Sequence, residues 1–191
     1  MVTEQLPDDP GPFVVFFMPN FMGIALAFLL ENFDVESKIS SVLPADAHKY
    51  CLLGLGIFAI ANANSYLAGS VVMARIEYNV KLPNLYASKT HSSKNATSFN
   101  IVQRAHQNFL EQYSQIVLGV LFTALVADRP NIAGVMLLII SICRLSYAWG
   151  YSKDIKSRMG GVLLSMFVTS IGIGYGALIS FTLFGVKIIK D

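Results

Sequence analysis

The sequence predicts an all-α membrane protein, a four-transmembrane-helix bundle with an extra N-terminal hydrophobic segment. Two observations carry this. The 191-residue chain is 54% hydrophobic and only 14% charged, against about 25% charged in an ordinary soluble domain. Its apolar residues also come in long blocks rather than at amphipathic spacing, so they bury all round, in lipid or in a bundle core. A net charge of +2, without a basic stripe interleaved with aromatics, gives a nucleic-acid partner no footing. Cys51 and Cys143 lie inside apolar blocks and form no CxxC pair. Neither a disulfide framework nor a metal site is expected from them. His48, His91 and His106 are not grouped with other ligands at metal spacing, so no metal is expected there either.

Residues 1–12, MVTEQLPDDPGP, are polar and Pro-rich and carry acids but no Lys or Arg. Residues 13–30 form a first apolar block, short for a span and interrupted at Pro19-Asn20. It lacks the positive charge that precedes a secretory signal. An extra span, a re-entrant or interfacial segment and an atypical signal remain open for it. With the polar connector 31–49 it makes an N-terminal extension, residues 1–49. The membrane domain is expected over 50–186, with 187–191 as a tail. Its first span is residues 50–74, where Asn62 and Asn64 should face a partner helix rather than lipid. A loop rich in Arg, Lys and Ser follows over 75–104. The second span is 105–127, with its polar residues gathered in the first turns. Pro130, in the turn Asp128-Arg129-Pro130-Asn131, blocks a smooth continuation. The third span is 132–151, followed by a basic loop, Ser152 to Arg158. In the fourth, 161–186, Gly172, Gly174 and Gly176 allow close helix approach.

Positive charge in short loops sets topology. The 75–104 loop holds Arg75, Lys81, Lys89, Lys94 and Arg104, and the later loop holds Lys153, Lys156 and Arg158. The turn between them has only Arg129. Both basic loops are therefore expected on the cytosolic face. On that topology the sequon at Asn95 stays unmodified.

The stretch FNIVQRAHQNFLEQY, Phe99 to Tyr113, sets ionisable groups where a helix enters the membrane. Such groups are costly there and mark function by default. Arg104, Asn108 and Glu111 are spaced i, i+4, i+7 and share one helix face. Arg144, Tyr147 and Tyr151, spaced i, i+3, i+7, share another. Antiparallel packing brings the two faces together near the cytosolic surface. Taken singly, an Arg at a helix end usually snorkels to headgroups, an interfacial Tyr is usually a belt residue and an Asn in a span is usually helix glue. The periodic co-facing lifts a ligand site above those readings. Arg grips carboxylates in a planar, bidentate way. Glu111 can take an ammonium, and Asn108 can serve peptide groups. A positive neighbour lowers a thiol pKa. Glutathione carries all of these features: two carboxylates, an ammonium, two peptide bonds and a thiol.

At these residues the sequence resembles the MAPEG superfamily, the membrane-associated proteins in eicosanoid and glutathione metabolism. FNIVQRAHQNFLE and CRLSYAWGYSKDIKSR look most like its type 3 microsomal glutathione S-transferase branch. MARIEYNVKLPNLY is similar to the segment that closes the family's first helix, and the likeness covers roughly residues 50–186. The resemblance implies four-helix subunits assembled as homotrimers, with glutathione held between subunits near the cytosolic face. It implies glutathione contacts at Arg104, Asn108 and Glu111, at His106 where some members have Gln, and at Tyr147 and Tyr151. It implies that Arg75 reaches the tripeptide across the subunit interface. Arg158, seven residues after Tyr151, matches the arginine proposed to stabilise the thiolate in the leukotriene C synthase branch. The chain departs from that branch at Ile76, where it has a second consecutive Arg, and carries Asn100 and Ile101 in place of an acidic and basic pair.

The expected function is that of a glutathione S-transferase or glutathione-dependent peroxidase, integral to the endoplasmic reticulum or nuclear envelope, with its site facing the cytosol. Its second substrate is a lipophilic electrophile or lipid hydroperoxide delivered by the bilayer. Leukotriene C synthase activity falls within this reading. The alternatives are a non-catalytic, lipid-presenting scaffold of the same fold and a glutathione-dependent prostaglandin isomerase.

Overall fold

Every element of regular structure is a helix among the residues that the computed structural model describes: 18–87, 92–153, 157, 159–186 and 188. In chain order they are α1 (Met18–Asn32), α2 (Val35–Val42), α3 (Cys51–Glu77), α4 (Ser93–Leu121), α5 (Pro130–Lys153) and α6 (Met159–Ser180). A π-helical turn, Phe122–Val126, extends α4, and a 3₁₀ turn, Phe181–Phe184, extends α6. Four helical stretches are long and apolar enough to cross a membrane: Cys51–Glu77, Lys94–Val126, Pro130–Lys153 and Met159–Phe184. Their buried faces share one core that includes Ile60, Leu67, Phe109, Ile116, Ile140 and Leu178.

The basic loop expected over 75–104 is shorter than the charge pattern implies. α3 continues to Glu77, and α4 begins at Ser93, a full three turns before the apolar run. Ser92 caps it, its hydroxyl accepting from the Asn95 N–H at 3.3 Å. SKNATSFNIVQ is therefore helix and not loop. Hydropathy alone reads a polar helix as loop, because both are solvated. Asn62 also departs from expectation. It lies exposed and donates to the carbonyl of Phe58 in its own helix at 2.7 Å. Asn64 is the half-buried one of the two.

Of Gly172, Gly174 and Gly176, the first two lie at close helix approaches. A Cβ at Gly172 would stand 2.6 Å from the Gly119 Cα of α4, and one at Gly174 would stand 2.1 Å from the Gly23 carbonyl oxygen of α1. α1 presents Gly23, Ala27 and Glu31, at i, i+4, i+8, as its buried face. Small residues at that spacing let backbones meet. The described helix rises about 22 Å, short of the roughly 30 Å hydrocarbon core, and packs along α6.

The 31–49 connector is not merely polar coil. It contains α2, which docks on the start of α5. Glu36 accepts from the Asn131 N–H at 3.0 Å and the Ile132 N–H at 2.9 Å. A carboxylate from another helix thus satisfies two orphan donors and opposes the helix dipole. Pro130 opens α5, where its missing N–H costs nothing. Beside it, Arg129 forms a two-pronged pair with Glu31, Nε to Oε1 at 2.7 Å and Nη2 to Oε2 at 2.8 Å. Tyr175, fully buried, donates to the same carboxylate at 3.1 Å. The hydrogen-bonded Glu31 raises the Arg129 pKa above its ordinary value. A raised basic group stabilises the fold below its unfolded pKa and loses that effect only as pH passes the folded value, here in strong base.

Removing one member of this buried pair leaves a charge without a partner. Arg129→Met is expected to lower stability by about 3–5 kcal/mol, read as a fall in melting temperature in detergent. Adding Glu31→Gln, which keeps an acceptor for Tyr175 without the charge, recovers most of the loss. Equal melting of the single and double variants would disprove the account.

Candidate functional site

The site lies at the end of the bundle where α3 leads to α4 and α5 ends. α4 and α5 run antiparallel, so the start of one lies beside the end of the other. On α4, Arg104 and Glu111 stand exposed on one side and form an ion pair at 3.4 Å. Tyr86, from the loop after α3, donates its hydroxyl to Gln107 Oε1 and neighbours Arg104. Tyr151 of α5 also lies within the electrostatic reach of Arg104. Tyr147 is buried and its ring stands 5.7 Å from that of Tyr151. One helix thus supplies the charged groups and its antiparallel neighbour the two phenols.

Asn108 faces the seam between these helices. Its Oδ1 accepts from Arg144 Nη1 at 3.1 Å. Arg144 Nη2 donates to Gln112 Oε1, one turn further along α4. The guanidinium also sits 5.5 Å from the centre of the Phe109 ring, within cation–π range. Arg144 is 1% exposed, and its Nε is buried without a hydrogen-bond partner. No carboxylate among the described residues pairs with it in an ion bridge. On the far side of the seam an apolar cleft of about 410 Å³ opens between Tyr66 and Ser70 of α3, Ile101 and Ala105 of α4, and Leu145 and Trp149 of α5.

The fold therefore brings together Arg104, Glu111 and Tyr151, with Tyr147 beside Tyr151 and Asn108 at the seam. It does not bring in Arg75 or His106. Arg75 is held by the loop that follows its helix, donating to the Asn84 carbonyl at 2.8 Å and lying 5.3 Å from the Phe99 ring centre. His106 points about 160° around α4 from Arg104. It is half-buried there, with Nε2 buried and unpartnered. Arg158 lies outside the described residues.

Gln112 and Tyr86 escaped the sequence reading as parts of the site, while Arg144 was placed on its second face but not as a residue of the seam. Gln112 continues the Arg104–Asn108 spacing by one more turn, a signal that was available. Arg144 shares a face with Tyr147 and Tyr151, but its direction into the seam depends on packing. Tyr86 sits in a loop, where no periodicity announces it.

A polytopic helical membrane protein with a cationic, hydrogen-bonding cluster at one end of its spans is the class this fold and site define. Residues 53–178 match the MAPEG family, and the chain belongs to it. The family includes glutathione transferases, peroxidases, leukotriene C synthase and prostaglandin E synthase, and some members are not glutathione-dependent enzymes. The match begins after α2, so the α1–α2 extension lies outside it.

The two arginines differ in what they do for stability. The Arg104–Glu111 pair is exposed, and Arg104→Gln is expected to change unfolding free energy by less than about 1 kcal/mol. Arg144→Met strands two amide oxygens in the seam, each costing about 1–3 kcal/mol. Paired thermal melts in detergent check this, and a larger loss at Arg104 than at Arg144 would reverse the assignment.

Proposed function

We propose that the protein is a membrane-bound glutathione transferase or glutathione-dependent peroxidase acting on lipophilic electrophiles or lipid hydroperoxides. The observation that carries this is the meeting of Arg104, Glu111 and Tyr151, with Asn108 and Tyr147 beside them, at one end of the spans of a MAPEG chain. Arg104 is the carboxylate grip, and Glu111 takes the ammonium once the ligand replaces its contact with Arg104. Asn108, Tyr147 and Tyr151 serve the peptide groups. Arg158 holds the sulfur as thiolate, lowering its pKa by its own positive charge.

Conjugation then needs one displacement. The thiolate sulfur forms a bond to an electrophilic carbon, an epoxide C–O bond breaks, and the oxygen takes a proton. With a hydroperoxide, sulfur attacks the distal oxygen and the O–O bond breaks. The lipid leaves as an alcohol after protonation. A second glutathione attacks the resulting sulfenic acid, giving glutathione disulfide and water. The bilayer delivers the second substrate in either case.

Assembly completes the reading. The same α4 face leaves Arg104, Glu111, Ser114 and Gln115 exposed in a single chain, although they belong to a membrane-crossing stretch. Such a face is costly against lipid and supports burial against further copies, as in a homotrimer. Arg75, which points elsewhere in its own chain, then reaches the site of a neighbour. The basic loops support a site facing the cytosol, and the family likeness supports the endoplasmic reticulum or nuclear envelope as its membrane.

Glutathione added to the purified protein is expected to give a thiolate difference absorbance in the ultraviolet that Arg158→Ala removes. Arg104→Glu is expected to abolish tripeptide binding by titration calorimetry. A native protein with neither a thiolate signal nor glutathione-dependent turnover of a generic electrophile would refute the enzyme reading.

A further inference from the structure

The Arg144 guanidinium has only donors, so the atoms it binds on Asn108 and Gln112 must be their amide oxygens. Those contacts are Nη1 to Asn108 Oδ1 at 3.1 Å and Nη2 to Gln112 Oε1. An amide whose oxygen is engaged in the seam turns its NH₂ group away from it. Asn108 and Gln112 lie one turn apart on α4, and both are half-buried, so the group each has left to offer a ligand is its NH₂. Arg144 itself is shut in: it is 1% exposed, leans on Phe109, and has Nε unpartnered. It cannot reach a ligand by snorkelling. A cation buried without a carboxylate partner among the described residues also leaves a positive potential at the seam, which favours electron-rich ligand atoms next to it.

We propose that Arg144 is a positioning residue that fixes Asn108 and Gln112 as a pair of hydrogen-bond donors, so that this wall of the site takes a carbonyl or carboxylate oxygen and rejects an N–H. This rests on the glutathione reading above and sharpens it. Asn108 reads the peptide as a donor: its oxygen is turned to Arg144, and its NH₂ meets a ligand oxygen. Gln112 joins it as a second contact of the same polarity.

The test separates donor from acceptor by changing one atom type. In Asn108→Asp and Gln112→Glu, a carboxylate still accepts from Arg144, so the α4–α5 seam keeps its partner, but the ligand-facing NH₂ is gone. Titration calorimetry with glutathione on the full-length protein in nanodiscs, beside thermal melts, reads both effects. The expected result is a melting temperature at or above native and a glutathione affinity weakened about tenfold or more by Asn108→Asp, with a smaller loss for Gln112→Glu. Arg144→Lys keeps the charge but not the two-pronged grip. It is expected to weaken binding in the native background and to change it by less than about threefold when Asn108 and Gln112 are both Ala, because the pair it positions is then absent. A merely structural Arg144 would give the same loss in both backgrounds. Native-like affinity of Asn108→Asp would overturn the donor assignment while leaving the transferase reading intact. A native protein that binds no glutathione would sink both.

Discussion

A guanidinium buried between two membrane helices must be satisfied by side chains, because neither water nor lipid can do it. Arg144 imposes that condition on the α4–α5 seam. It requires two acceptors at one-turn spacing on the facing helix, and Asn108 and Gln112 supply them. It also wants an aromatic face beside it, and Phe109 lies there, wholly buried. Once these groups are committed, the rotation of α4 about its axis is set. Arg104 and Glu111, at their helical spacing from Asn108, must then emerge together on the adjoining face. The outward polar cluster is thus a consequence of the inward one.

The two ends of the bundle use charge differently. At the α4–α5 turn, a half-buried Arg129 and a buried Glu31 are matched atom for atom, with Tyr175 adding a bond to Glu31 and Glu36 holding the start of α5 beside them. That end joins the N-terminal extension to the helices it precedes. At the opposite end the pairing is loose. Arg104 and Glu111 meet at 3.4 Å and each side chain is 46% exposed. A weak, exposed pair costs little to open. A zwitterionic ligand can replace each partner by its own group of the same sign, which a tight buried pair would forbid.

The four membrane helices were legible in the sequence because continuous hydropathy needs no tertiary information. Their ends were not. The first three turns of α4 are polar, and nothing in SKNATSFNIVQ separates surface helix from loop except the cap at Ser92, whose meaning depends on where the helix starts. The α2 helix was missed for a related reason. Its eight residues bury none of their side chains fully, and its place comes from Glu36 meeting α5 rather than from periodicity. For the site, i, i+4, i+7 spacing identified Arg104, Asn108 and Glu111 as one face. Spacing could not say that Asn108 turns toward Arg144 while Arg104 turns toward Glu111, since a helical wheel gives direction around one axis and not the neighbour found there. The same limit applies to Arg75 and His106. Their sequence positions fit a glutathione contact, yet in one chain each points to different surroundings.

The extension outside the family match leaves the polar face of α4 uncovered, through the face it chooses. α1 lays its Gly23–Ala27–Glu31 stripe along α6, where Gly174 admits its backbone, and Glu31 ties its end to Arg129. Its outward face, with Phe21, Met22, Phe28 and Leu29, is apolar and suits lipid. The α4 face that carries Arg104, Glu111, Ser114 and Gln115 stays open. An added helix that covered α4 would have shielded those polar groups within one chain. By packing along α6 instead, the described part of the extension leaves that polar face uncovered in the single chain.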